Sequence, residues 1–537
     1  MNTLMRYRYV LYVIALLPIF IFRDYTPNNE LKYVSIVDEA LRNGTWFTFY
    51  NHGEIYADKP PLYFWLMMLS RLVTGGYHMW LMGLFSLLPA IGVMVVMDRW
   101  MRLENVRHNP LISNLMLGTT GIFLGAALVL RMDMMMTFFI VLTLYTFFKI
   151  YKGMDTPRDR WMLPVWLFLA IFSKGPMGIL IPLVSVLAFL LIRREIRTVG
   201  RYFGWKQLLI LLGLCGLWFG AIYAEGGSEY LNNILFKQTV GRGIDSFHHK
   251  EHLFYYFPHM LYTFAPWTLV YLVTIWLGVR RRLFQTDTEK FIYTAVWTNI
   301  IMLSLVSSKI DIYMLPIYPF VVYLASAMLP RTGGGKAVKF GVLVPAVIFL
   351  LLWPVSFFIG KLIPFQIEDL TGIRFGLAAG SLGGLIAVWS LYRNKTGQAI
   401  WYICNGMLLM LFIAAFSIPQ FNDEVGFRNM AERARQTAVE NDAEHYAFYN
   451  YRGFSDMDVF LGQQLEKIES VPALDSLDAS PRRSILFLRN KDVRRNEDLK
   501  AWVEARPEAG RINKDYYWMV VGARSEEPEV SEDRVAD

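Results

Sequence analysis

Cysteine is nearly absent from this chain: 537 residues contain two, Cys215 and Cys404, each inside a long apolar run. That excludes a disulfide framework and a thiolate metal centre, and leaves packing as their role. Charge is scarce too, at 18% Asp, Glu, Lys and Arg, against roughly a quarter in an ordinary soluble domain. Hydrophobic residues fill the gap at 55%, with a mean hydropathy of +0.33, the balance of a chain that lives in a bilayer. No internal repeat is evident, which weighs against a transporter or flippase built from inverted halves. Nor does the first apolar run, ending in Phe22-Arg23-Asp24, carry a small-residue cleavage pattern, so it is expected to stay as a span.

A span takes about 20 apolar residues. Such runs lie at 9–22, 77–97, 111–130, 132–148, 161–173, 176–192, 207–224, 258–278, 291–306, 312–329, 340–359, 375–392 and 399–418, thirteen in all. The stretch 60–74 opens with two prolines, is interrupted by Arg71, and reads as interfacial or re-entrant. On that count loops 98–110, 149–160, 193–206, 279–290, 330–339 and 393–398 share a side with Arg6 and Arg8 and carry two to five Lys or Arg each. By the positive-inside rule this side is cytoplasmic. The opposite loops, including 23–59 and 225–257, then face outward. The net charge of +8 is mostly this topology signal, with no need of nucleic acid as a partner.

After Ile418-Pro419 the composition turns charged and mixed, which marks a membrane domain over 1–419 and a soluble one over 420–525. The second is expected to be a small α/β layer: helices near 424–440, 456–468 and 495–505, strands over 445–449, 484–488 and 516–522. Docking or a lid is its default role. The acidic tail 526–537 is expected to be disordered.

Polar residues concentrate on the outward side. The first loop (23–76) brings Asp24, Glu30, Lys32 and Tyr33 and then Asp58-Lys59; short turns bring Arg131-Met132-Asp133 and Lys174-Gly175-Pro176. The long loop contributes His248-His249-Lys250-Glu251-His252, and a further turn Lys309-Ile310-Asp311-Ile312-Tyr313. Any one such lysine is explained by snorkelling, Asp133 by pairing with Arg131, and Glu30 by stabilising the first turn of a helix over 28–41. Unrelated snorkelling does not place carboxylates and cations together in nearly every loop of one face, and ionisable groups at a membrane rim are costly unless used.

The segments Thr26-Pro27-Asn28-Asn29-Glu30-Leu31-Lys32-Tyr33 and Gly53-Glu54-Ile55-Tyr56-Ala57-Asp58-Lys59-Pro60-Pro61, with Ser173-Lys174-Gly175-Pro176, Ser307-Ser308-Lys309, Tyr313 and Pro316, resemble the lipid-linked-sugar glycosyltransferases of the GT-C class. The likeness covers roughly 1–420. It is most specific to the bacterial aminoarabinose transferases that modify lipid A, and looser to the dolichyl-phosphate-mannose protein mannosyltransferases. It implies a GT-C-like α-helical polytopic fold with a small C-terminal α/β soluble domain. The family's first-loop acidic motif, usually Asp-Glu, lands on Asn29-Glu30, which leaves Glu30 as the surviving carboxylate. The family's Glu-Lys-Pro lands on Asp58-Lys59-Pro60, implying a carboxylate near a divalent metal, zinc by its chemistry, and a lysine on the polyprenyl phosphate. The metal histidine falls on His248 or His249.

The chemistry is consistent with this. An outward face has no nucleotide sugars, so a transferase there needs a donor delivered in the membrane, such as a polyprenyl phosphate sugar. Negative charge builds on the leaving phosphate, and fixed cations in a partly dry site stabilise it. The candidates for the phosphate are Lys59, Arg131, Lys174, Lys309 and Tyr313; those for catalysis are Glu30, Asp58, Lys59 and Asp133; those for metal are Asp58, His248 and His249. A hydroxyl acceptor also needs a base, whereas a phosphate acceptor does not. The expected enzyme is a glycosyltransferase of the bacterial inner membrane acting at its periplasmic face, on lipid A or another glycolipid; a protein O-glycosyltransferase and a non-enzymatic flippase are the alternatives.

Overall fold

In the computed structural model, the described residues are 2–236, 251–332, 334–358 and 369–522. Two compact units emerge: Met1–Arg23, Ala40–Tyr50 and Ile55–Pro419 in one; Asp24–Glu39, Asn51–Glu54 and Gln420–Asp537 in the other. The tail at 526–537 lies outside the described residues.

The first unit is helical. Seven helices among the described residues are long and apolar enough to cross a membrane: Met79–Leu103, Asp133–Tyr151, Trp205–Phe236, Asp311–Met328, Lys336–Ser356, Thr371–Tyr392 and Thr396–Ala415. Counting three bent pairs as one span each gives ten. The three other expected spans are also helices, Pro157–Lys174, Met177–Ile192 and Asp287–Leu305, but the second has only 16 residues and the other two carry charged first turns. Leu62–Thr74 forms a 13-residue apolar helix, too short to cross.

Two expected spans are sharply broken. Pro110–Gly118 meets Gly121–Leu128 at 70°, and Tyr256–Thr263 meets Thr268–Arg280 at 117°. A break inside a bilayer frees backbone groups that lipid cannot satisfy. Here the two breaks satisfy each other: Gly121 N donates to Ala265 O at 2.8 Å, Trp267 Nε1 to Thr119 Oγ1 at 2.9 Å, and the Thr120 and Tyr271 hydroxyls lie 2.7 Å apart. Glycine at 121 suits this close approach, since a Cβ there would stand 3.1 Å from Thr263 O and 3.2 Å from Ala265 O.

The second unit is built on five strands: β1 (His445–Tyr449), β2 (Glu466–Ile468), β3 (Ser484–Arg489), β4 (Gly510–Arg511) and β5 (Tyr516–Val521). Their order is β2-β1-β3-β5-β4, with β1 parallel to β2 and β3, and β5 antiparallel to β3 and β4. One face of alternate residues, Ala447, Tyr449, Leu486, Leu488, Tyr517, Met519 and Val521, packs with Leu474, Leu499 and Trp502 of helices Val471–Asp478 and Glu497–Glu504. On the other face Trp518 donates to Thr437 of helix Arg428–Glu440. Coverage on both faces explains why β3 reads as an unbroken apolar run. The expected helix over 456–468 is corrected: a 3-10 turn (Arg452–Met457) and a four-residue helix (Asp458–Leu461) occupy its start and β2 its end. Gly462, in the left-handed region at φ 78°, stops that helix.

The segments of the first loop in this unit are tied in by carboxylates. Asp24 accepts from Arg428 N at 2.9 Å, and Glu39 from His52 N at 2.6 Å and Gly53 N at 2.9 Å. His52 Nε2 lies 3.2 Å from Asp456 Oδ1 and its Nδ1 3.9 Å from Asp458 Oδ2, while Ser35 donates to Asp458 at 3.0 Å.

Candidate active site

Asp133 opens helix Asp133–Tyr151, and Lys174 is the last residue of helix Pro157–Lys174. Gly175, at φ 94°, ends the latter helix where a side chain would be strained. An anion at a helix N-terminus and a cation at a C-terminus each sit in the favourable end of the helix dipole. The two bond directly: Lys174 Nζ donates to Asp133 Oδ1, and Arg131 Nε donates to Asp133 Oδ2 at 3.1 Å. The Asp133 side chain is fully buried and that of Lys174 8% exposed, while that of Arg131 reaches solvent at 29%. The charge of Lys59 also falls on Asp133. Three cations thus act on one buried carboxylate. The ring of Tyr313 lies 5.0 Å from the Lys174 ammonium.

Lys59 is positioned by its flanks. Ahead of it, residues 46–48 are gripped by Glu225, whose carboxylate accepts from the amides of Trp46, Phe47 and Thr48 at 2.8, 2.7 and 2.6 Å and from Thr48 Oγ1 at 2.7 Å. Tyr230 Oη accepts from Phe49 N and donates to Tyr56 O, both at 3.0 Å. After it, Trp65 donates to Trp46 O at 2.6 Å and sets its ring edge-on to Phe172, two residues before Lys174, with centroids 5.2 Å apart. Asp58 and Lys59 are half-buried, and the charge of Asp58 reaches the Tyr230 hydroxyl.

Lys309 is buried and donates to Glu251 O at 2.9 Å, while Glu251 N donates to Ser307 O at 3.3 Å. The 3-10 turn Asp311–Ile317 follows and carries Tyr313. Glu30 belongs to the other unit, in the π-helical turn Pro27–Leu31 that precedes helix Lys32–Asn43, where its buried carboxylate accepts from Thr26 N and Oγ1, both at 3.0 Å. His248 and His249 lie outside the described residues. Among the described residues no group of three or more His, Cys, Asp or Glu is arranged to hold a metal ion. Asp58 is thus the single proposed ligand within them.

Of the ten residues singled out in the sequence, the structure brings Lys59, Arg131, Asp133, Lys174 and Tyr313 together. Sequence reasoning missed Glu225 and Tyr230. A signal existed: Glu225-Gly226-Gly227 interrupts an apolar run, and Gly227 leaves helical geometry at φ 69°.

Helices, broken spans and this charged cluster define a multi-pass membrane protein of GT-C-like fold. Residues 58–218 match the family described as dolichyl-phosphate-mannose-protein mannosyltransferase. Over 329 residues the chain is 25% identical to an uncharacterized protein of Aquifex aeolicus, covering 59% of this chain and 64% of that one. Over 333 residues it is 23% identical to the undecaprenyl phosphate-alpha-4-amino-4-deoxy-L-arabinose arabinosyl transferase of Pseudomonas savastanoi pv. phaseolicola, covering 60% and 61%. Both matches span less than two thirds of the relative's length. The fold of the whole chain is similar to that of ArnT from Cupriavidus metallidurans, in its crystal structure bound to undecaprenyl phosphate, with a TM-score of 0.75 at 17% identity, over 97% of this chain and 98% of that one.

Proposed function

We propose that the chain is a glycosyltransferase of the bacterial inner membrane, moving a sugar from an undecaprenyl phosphate donor to a glycolipid at the periplasmic face, with lipid A the first-choice acceptor. The observation that carries this reading is the convergence of Lys59, Arg131 and Lys174 on buried Asp133. In transfer, the bond between the anomeric carbon and the phosphate oxygen breaks and its electron pair stays on the phosphate. Lys59 and Arg131 meet that growing charge, with Lys174 behind them, and Lys309 and Tyr313 border the same phosphate. Asp133 fixes the cations in advance, so that little reorganisation is needed as charge develops. Asp58, next to Lys59 in the chain, supplies a further carboxylate to the site.

A divalent ion, zinc by the chemistry of its ligands, would be held by Asp58 with His248 or His249 and would add positive charge at the leaving phosphate. The described residues contribute too few ligands to fix it, so the steps above are carried by side chains alone. The family match over 58–218 favours a second reading, protein O-glycosylation from a lipid-linked sugar.

Comparing the glycolipids and glycoproteins of a deletion strain with those of its parent decides between the two. Loss of a sugar from lipid A or another glycolipid supports the first, loss from proteins the second, and no change in either overturns both. The proposed orientation, with the cytoplasmic N-terminus and the periplasmic domain after residue 419, is read by reporter fusions at 105, 240, 335 and 450, expected in, out, in, out.

A further inference from the structure

A second polar cluster stands beside the cation site. His259 Nδ1 lies 2.6 Å from Asp311 Oδ1, and the Tyr262 hydroxyl donates to Asp311 Oδ2 at 2.5 Å. The Tyr255 ring lies against the imidazole, tilted by 37° with centroids 3.8 Å apart. Both oxygens of Asp311 are thus engaged by N–H and O–H donors. The tautomer with its proton on Nδ1 donates to Asp311, with Tyr262 Oη also 2.7 Å from that nitrogen, and leaves Nε2 with its lone pair, the arrangement of a carboxylate-oriented base. The side chains of His259 and Asp311 remain 29% and 23% exposed, so a ligand can reach them. Asp311 and Tyr313 share the first turn of one 3-10 helix, and Tyr313 covers Lys174. Tyr256 feels the charges of both Asp311 and Tyr313. The pairing of Lys309 with Glu251 and of Glu251 with Ser307 holds the two strands of this corner together.

We propose that His259 is the general base of transfer and that the nucleophile is a neutral hydroxyl of a membrane-anchored glycolipid, an inference that rests on the glycosyltransferase reading. A phosphate acceptor needs no base, whereas a hydroxyl does. The hydroxyl oxygen bonds to the anomeric carbon as the bond to the phosphate breaks. Its proton passes to His259 Nε2 and later to water, and the polyprenyl phosphate leaves with the electron pair. The lipid anchor follows from the surroundings: Leu253, Phe254, Phe257, Leu261 and Tyr262 stand exposed around His259, an apolar approach suited to a substrate arriving through the bilayer.

The test uses the full chain in nanodiscs, with undecaprenyl phosphate as the binding probe and extracted membrane glycolipids plus labelled undecaprenyl phosphate sugars as substrates. His259→Gln is expected to bind undecaprenyl phosphate within about twofold of wild type and to lose transfer by about 10²–10⁴-fold. Asp311→Asn, a change in a positioning residue, is expected to shift the acid limb of the pH–rate profile. The groups facing His259 that enter this profile are Asp311, Tyr255, Tyr262 and, through them, Glu251, Tyr256 and Tyr318. Wild-type-like transfer by His259→Gln, or a product linked through phosphate, overturns the base assignment while leaving the glycosyltransferase reading intact. Transfer to peptide hydroxyls alone overturns the glycolipid acceptor, and a wild-type protein with neither lipid binding nor transfer overturns both readings.

Discussion

Lys174 and Asp133 join the C-terminal end of one helix to the N-terminal end of another through a buried ion pair. Each helix end favours the charge it holds, and each charge compensates the burial of its partner. This pair is a structural device as well as part of the proposed site.

Asp133→Ala is therefore expected to cost about 3–5 kcal/mol through the buried, uncompensated Lys174. Membrane abundance of the variant should fall. The double change Asp133→Leu with Lys174→Met should restore abundance without activity, as followed by immunoblot and a transfer assay. Normal abundance of Asp133→Ala would show the pair to be dispensable for folding.

Lys59→Ala should leave abundance intact and reduce transfer about a hundredfold, the effect of losing roughly 3 kcal/mol of fixed positive charge at a developing anion. A lysine that merely snorkels is dispensable, so near wild-type turnover would remove its assigned role.

Chelation checks the proposed ion. EDTA should lower the transfer rate and added zinc restore it. Asp58→Ala should be slow under both conditions, and a wild-type rate that EDTA leaves unchanged would count against the ion.

His52 supplies a pH dependence to the second unit. Burial acts to lower its pKa, yet the bond to Asp456 and the charges of Asp458, Asp456 and Glu39 outweigh burial and raise it above 6.5. A raised value means that the stabilisation is fully present below pH 6.5 and is lost as pH rises through the folded-state value. Asp456 is raised too, by burial, against the bond to His52 that acts to lower it. Hydrogen exchange of peptides over 445–460 should quicken from pH 6 to 9 beyond the intrinsic rate change. His52→Ala should cost about 1–2 kcal/mol at pH 6 and flatten the dependence.

Much of the fold was legible because bilayer thickness writes itself as run length: helices occur at all thirteen apolar runs, and β1 was read to the residue. The breaks at 119–120 and 264–267 were hidden, since Gly121, Trp267 and Tyr271 look apolar or neutral until a partner bend supplies their hydrogen bonds. Within the site, charges at span ends stood out against an apolar background, so Lys59, Arg131, Asp133 and Lys174 were visible one by one. Their meeting was not, because it depends on packing such as Trp65 against Phe172. His259 was overlooked beside the more conspicuous histidine run at 248–252. In the second unit β2 was missed because Glu466-Lys467-Ile468 shows no apolar alternation and is held as an edge strand by β1.

The second unit draws on Asp24–Glu39 and Asn51–Glu54 as well as the chain after Pro419. During synthesis its first two pieces wait while about 370 further residues are made, roughly 20–70 s at ordinary elongation rates. Through that interval Asp24 and His52 are without Arg428 and Asp456, and any protease on their side of the membrane has access to an unfinished loop. A chain stopped at residue 419 would keep that loop permanently unfinished.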